Sequence, residues 1–262
     1  MEHLIVGTAA LLVSTLAVFT GFGLGTVLLP VFALFFPVEL AVGATALVHG
    51  AANVLKVALL GRHADRQVVV RFGLPAVAGA FLGAAALGLV SGLPPVGEYS
   101  IGSFSAVLTP INLILGVLIA AFGIFELHPR LRALEFDRRY LGLGGALSGF
   151  FGGLSGHQGA LRSAFLAKLK ITTETFAGTA AVVSLFVDLA RIAVYGAAFL
   201  GTGSAGLLEG DAGRLVGTAV GAAFVGVLVG RSFIRKVPMR AVQTATGILL
   251  LGVAGALALG LV

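Results

Sequence analysis

Sliding this chain along itself by 135 positions lays residues 41–61 over residues 176–196 without a gap, and the polar residues of an otherwise apolar segment coincide. Asn53 falls on Asp188 and Lys56 on Arg191. The same offset pairs Gly7 with Gly142, Gly21 with Gly156, Glu39 with Glu174 and Gly43 with Gly178. A duplicated apolar unit with matched polar groups at membrane depth is how many transporters are built.

The chain has 262 residues, of which 58% are hydrophobic and 11% charged, and a mean hydropathy of +1.08. That composition places it in a lipid bilayer. The net charge of +6 sits in short clusters between apolar stretches, without a basic face interleaved with aromatics, so no nucleic-acid partner is expected. With no cysteine, disulfides, thiolate metal sites and cysteine nucleophiles are excluded. The five histidines are scattered without metal-ligand spacing, so neither a metal nor another cofactor is expected. The start, Met-Glu-His-Leu-Ile-Val-Gly, lacks a basic leader, and no removable signal peptide is expected.

Six apolar stretches reach the roughly 20 residues a bilayer crossing needs: 38–60, 69–93, 110–127, 175–200, 212–230 and 242–262. Two other regions, 4–36 and 140–169, are each interrupted by glycine: at Gly21-Phe22-Gly23-Leu24-Gly25 and at Gly152-Gly153-Leu154-Ser155-Gly156-His157-Gln158-Gly159. Arginines cluster at Arg62, Arg66 and Arg71, at Arg130, Arg132, Arg138 and Arg139, and at Arg231, Arg235, Lys236 and Arg240. The intervening loops carry only Glu98, Glu209 and Asp211 as charges. Cytoplasmic loops retain Lys and Arg, so region 140–169 begins and ends inside. It is therefore expected to be a re-entrant helical hairpin, and 4–36 its counterpart entering from outside. The fold expected is an all-α polytopic membrane protein of two inverted repeats, each a hairpin plus three transmembrane helices. Residues 1–127 form the first repeat, 128–139 a cytoplasmic linker and 140–262 the second, with both termini outside an inner cell membrane.

Small residues also recur at an offset of 138: Gly79, Gly83, Gly88 and Gly92 fall on Gly217, Gly221, Gly226 and Gly230. Spacing of this kind lets helices approach closely, and a homodimer through such seams stays open.

The glycine strings, with Pro30 after the first, residues 41–45, and the run continuing to Ala160-Leu161-Arg162-Ser163, make the chain similar to the TauE/SafE family of sulfite exporters. The resemblance spans nearly the whole sequence. It implies export of a small sulfur-containing anion such as sulfite, sulfoacetate or a related organosulfonate, with proton coupling. His157 and Gln158 stand in a break that in the family often carries more glycine, which leaves the ligand's identity open.

Each hairpin's returning arm starts just past its break, at Thr26 and at Ala160, where free N–H groups and a positive dipole end suit an anion. The expected substrate site comprises Arg162, Gln158, His157 and Ser155 with the backbone of Gly23, Gly25 and Thr26. Arg162 lies in a helix's first turn, where a cation opposes the dipole; it either clamps an oxyanion or pairs with a carboxylate such as Asp188. Ser155 is equally able to hold local backbone. Asp188 and Arg191, one helical turn apart, form either a buried ion pair or a gating pair in which Asp188 carries the proton; Asn53 and His49 on the matching helix complete that set. Lys56 is expected to snorkel to the inner interface, and Glu39 and Glu174 to favour helix N-termini.

Two rivals remain. An uncoupled anion channel or uniporter shares every structural expectation. An intramembrane serine hydrolase is suggested by Gly153-Leu154-Ser155-Gly156, but it needs a base on another helix, and only His49 is placed for that.

Overall fold

In a hydrocarbon environment every backbone amide must be satisfied within its own segment, and the long apolar runs accordingly fold as helices. The computed structural model describes residues 1–20, 24–101, 104–166, 169, 171–202, 210–232 and 239–261. Helices α1 (Glu2–Thr20) and α2 (Leu24–Ala33) flank the first glycine string, and α3 (Val38–Leu60) follows. A single turn, α4 (Arg66–Val68), passes through π-helical Val69–Gly73 into α5 (Leu74–Ser91). Strands β1 (Gly97–Ile101) and β2 (Phe104–Leu108) then pair antiparallel, with Gly97 opposite Leu108. Helix α6 (Pro110–Leu127) and the turn α7 (Pro129–Arg132) close the first half. The second half contains α8 (Leu141–Ser155), α9 (Gly159–Leu166), α10 (Thr173–Thr202), α11 (Gly210–Ser232) and α12 (Met239–Ala258).

Among the described residues, five helical stretches are long and apolar enough to cross a membrane: Val38–His63, Arg66–Ser91, Pro110–Leu127, Thr173–Ala197 and Gly210–Ser232. The sixth expected span coincides with α12, in which Gly247–Ala258 forms a shorter apolar helix. The second span starts three residues early because Asp65 caps it, its carboxylate accepting the Gln67 and Val68 amides at 2.8 and 3.1 Å. The β-hairpin inside the acidic loop departs from a purely helical expectation. Its strands are too short and mixed in polarity to announce themselves.

Both glycine-interrupted regions are helix, break, helix. With 15 and 8 residues, α8 and α9 are about 22 and 12 Å long at 1.5 Å per residue, each short of the roughly 30 Å hydrocarbon core. The first region is less even, since α1 has 19 residues and α2 only 10.

Four pairings organise the rest: α5 with α8 and α1 with α11, which run parallel, and α6 with α12 and α3 with α10, which run antiparallel. The closest is α5 with α8. A Cβ at Gly149 would stand 1.9 Å from the Ala76 carbonyl oxygen, so only glycine lets the two backbones touch. One apolar core, including Leu28, Phe32, Leu115, Ile119 and Leu250, fills the centre, and a second, around Phe72, Leu141, Phe165 and Val187, packs beneath α8 and α9. Glu39 and Glu174 sit in the first turns of α3 and α10, where acid complements the dipole.

Candidate functional site

Helices α3 and α10 carry the duplicated polar positions, and their crossing brings those positions into contact. On α3, His49, Asn53 and Lys56 share one face by their i, i+4, i+7 spacing, and Ser184, Asp188 and Arg191 do the same on α10. All six are buried. Asp188 is the hub. Its Oδ1 takes Arg191 Nη2 at 2.8 Å and Nε at 3.0 Å, and its Oδ2 takes Asn53 Nδ2 and His49 Nδ1, each at 2.7 Å. A buried carboxylate and guanidinium need their lone pairs and protons engaged; here four nitrogen atoms surround one carboxylate, three of them in hydrogen bonds and Arg191 Nη2 through charge alone.

The second break rests directly on this hub. Helix α8 ends at Gly156, whose φ of +81° is the left-handed closing conformation that favours glycine. Its last turn leaves carbonyls without intrahelical donors. Arg191 Nη1 approaches the Gly152 carbonyl at 3.4 Å, and the Tyr195 hydroxyl donates to the Gly153 carbonyl. The cation therefore stands where the helix dipole is negative. On the other side, a Cβ at Gly25 would lie 2.8 Å from the Gly156 oxygen, so the start of α2 touches the second break. Gly23 lies outside the described residues, and so does the side chain of Thr26.

Gln158, His157 and Arg162 diverge. Gln158 lies against Gly152 and Val187, and its carbonyl accepts from Ser148 at 2.9 Å. Its side-chain amide, 2% exposed, has no hydrogen-bond partner at either the nitrogen or the oxygen. Arg162, one turn along α9, is buried and donates to Ser184 of α10. Both therefore lie on the side of the break nearer α10, Arg162 on Ser184 and Gln158 beside Gly152, which Val187 also approaches. His157 points the other way. Its ring stacks on Phe122 of α6 with centroids 5.3 Å apart, its Nδ1 is 2.9 Å from the Ser155 carbonyl, and its Nε2 is buried without a partner. Ser155 turns into its own helix, donating to the Phe151 carbonyl at 3.1 Å.

Two buried charges escaped the sequence reading. Lys56 is 5% exposed, on the same face of α3 as His49 and Asn53. Glu126 is 3% exposed on α6 and lines a small cavity with Phe122, His157, Gly159, Ala160 and Leu250. The sequence reading gave it no role; the signal it offered was its i, i+4 spacing from Phe122. Among the described residues no group of three potential metal ligands occurs.

The arrangement is a buried, polar and cationic centre at the break of an interrupted helix pair, suited to holding a small anion. No curated protein and no solved structure matches the chain. The family model described as Sulfite exporter TauE/SafE matches residues 6–257, and over that extent, nearly the whole sequence, the chain belongs to the TauE/SafE family of membrane transporters.

Proposed function

We propose that this protein exports a small sulfur-containing anion (sulfite, sulfoacetate or a related organosulfonate) across the cytoplasmic membrane, binding it beside the second break. The observation that carries this is Gln158: a buried amide with unused donors and acceptor, one turn from the buried cation Arg162. Arg162 supplies charge-assisted hydrogen bonds to an oxyanion, and the backbone from Gly23 to Thr26 and at Gly159 supplies N–H groups at two helix starts. His157 and Ser155 shape the break from its other face.

In this reading the two repeats are inverted, and the hairpins 4–36 and 140–169 enter from opposite sides. Support comes from the pairings themselves. Exchanging the halves turns the α5–α8 contact into α11–α1 and maps α3–α10 and α6–α12 onto themselves, as a two-fold in the membrane plane requires. Arg138 donates to Gln67, so two arginine-rich loops share a face, the inner one. Both termini lie outside, and the glycines that meet no neighbour leave room for a second copy.

Export is coupled to protons through Asp188, whose protonation would loosen Arg191 from the break. The uncoupled alternative has its own support: both Asp188 oxygens are already engaged. Proteoliposome flux decides. Sulfite efflux should be driven by an imposed pH gradient and abolished by Arg162→Ala; gradient-independent flux selects the uniporter, and normal flux in Arg162→Ala removes the clamp.

A further inference from the structure

The small cavity on the α6 side of the second break has no part in the proposed anion site. Phe122 and Glu126 of α6, His157 of the break and Leu250 of α12 are among its walls. Its size is on the order of one water molecule, too small for a sulfonate. Two of the lining residues are nevertheless ionisable and almost fully buried, His157 at 2% and Glu126 at 3% exposure.

The contacts of His157 fix its tautomer. Nδ1 lies 2.9 Å from the Ser155 carbonyl oxygen. A carbonyl only accepts, so Nδ1 carries the proton in the neutral ring and Nε2 is a bare lone pair. That nitrogen is buried without a partner, on the ring edge turned away from the Ser155 carbonyl. Stacking on Phe122, with the ring planes 14° apart, holds the imidazole in this orientation. Glu126 stands one helical turn from Phe122, on the wall of the same cavity. An acceptor buried without a donor is costly, and an added proton is a donor that fits the space.

Among the described residues no other ionisable group lines the cavity. On α10, Asp188 is paired with Arg191, and Arg191 and Tyr195 reach the Gly152 and Gly153 carbonyls at the end of α8. Arg162 of α9 donates to Ser184. Helices α2, α5 and α8 carry no ionisable residue. His128 follows α6 at an exposed position, and Arg240 lies in the first turn of α12.

We infer that His157 and Glu126 form a proton-binding site, distinct from Asp188, on the face of the break turned away from the anion. One proton enters from water, one N–H bond forms at Nε2, and the pair passes from one net negative charge to none, with the carboxylate balancing the imidazolium. His157 and Gln158 are joined by one peptide bond and point to opposite faces, so a change in how the ring is held passes directly to the anion side. The inference rests on the proposed proton coupling for its part in export; proton binding itself is measurable without it.

The test is nitrogen-15 NMR of the full-length protein in detergent, labelled at histidine and titrated from about pH 9 to about pH 4. The His157 signals are assigned by their absence in His157→Gln. At high pH the proton should sit on Nδ1, and on acidification Nε2 should take up one more. Glu126→Gln should weaken that uptake at least about tenfold. In proteoliposomes the same variant should lower the ratio of gradient-driven to downhill sulfite flux at least about fivefold. A neutral ring protonated on Nε2, no uptake by His157 across the range, or a Glu126→Gln titration equal to wild type would each overturn the inference. The first two are read on wild type and decide the matter even where the variant does not fold. The two readings also separate: proton uptake as described without any sulfite flux keeps the site and removes sulfite export, whereas gradient-driven sulfite flux unchanged by Glu126→Gln keeps export and removes the site from it.

Discussion

The two faces that meet at the α3–α10 crossing descend from one pattern and now do different things. On α10, Asp188 and Arg191 neutralise each other and anchor the end of α8 through Gly152, with Tyr195 holding Gly153. On α3 the same positions are Asn53 and Lys56: the amide serves Asp188, and the ammonium has no carboxylate of its own. The matched positions therefore carry different chemistry: an ion pair on α10, an amide and an ammonium on α3. Charge diverges where packing need not, because replacing an amide by a carboxylate of nearly equal volume costs no space but changes what must lie beside it.

The sharpest way to break this comparison is Asp188→Asn. It leaves Arg191 buried without its counter-charge, and a loss of about 3–5 kcal/mol is expected, read as a collapse of the apparent Tm in detergent. Adding Arg191→Met should recover most of the loss. Failure to recover would mean that the hub is not a charge-balanced strut. Next comes the α5–α8 seam: Gly149→Val forces the backbones apart and should cost about 1–3 kcal/mol in the same assay. Smaller again, Tyr195→Phe removes the donor to the Gly153 carbonyl and should cost about 1 kcal/mol, with sulfite flux reduced because the break is less firmly held. The smallest effect is expected at Gly221→Ala. A Cβ there meets nothing within 4 Å, so stability should be unchanged or up to about 1 kcal/mol higher.

Gly221 also shows how far pattern reading reaches. The glycines matched at the second offset all looked like seam positions, but Gly79 and Gly83 meet α8 while their counterparts Gly217 and Gly221 meet nothing, and Gly226 and Gly230 meet α1 while Gly88 meets nothing. Each helix uses one half of the motif, because which half faces a neighbour depends on how the hairpin arm lies across it.

The interruption at 156–158 was legible because a glycine string inside an apolar run has few other readings, and the Asp188–Arg191 pair because i, i+3 spacing on a helix places side chains together. That Asn53 contacts its own duplicate, Asp188, required knowing that α3 and α10 cross where the two patterns coincide. The burial of Lys56 and of Glu126 was not foreseen: Lys56 was expected at the inner interface, and Glu126 was given no role. Position within a span suggested an interface, whereas burial is decided by which way the helix is rotated and by what lies opposite. The opposite directions of His157 and Gln158 follow from a left-handed Gly156 and the start of α9, a local geometry that residue types alone do not fix.

The β-hairpin carries a mechanical consequence. Tyr99 donates to the Leu259 carbonyl, and Gly260 lies against the Val107 carbonyl, so the ribbon leading into α6 is buttoned to the tail of α12. Those two helices cannot splay at that end without undoing the clasp. Any breathing between them must open at the far end, where Glu126 and His157 face the same small cavity, as tweezers part only at their tips.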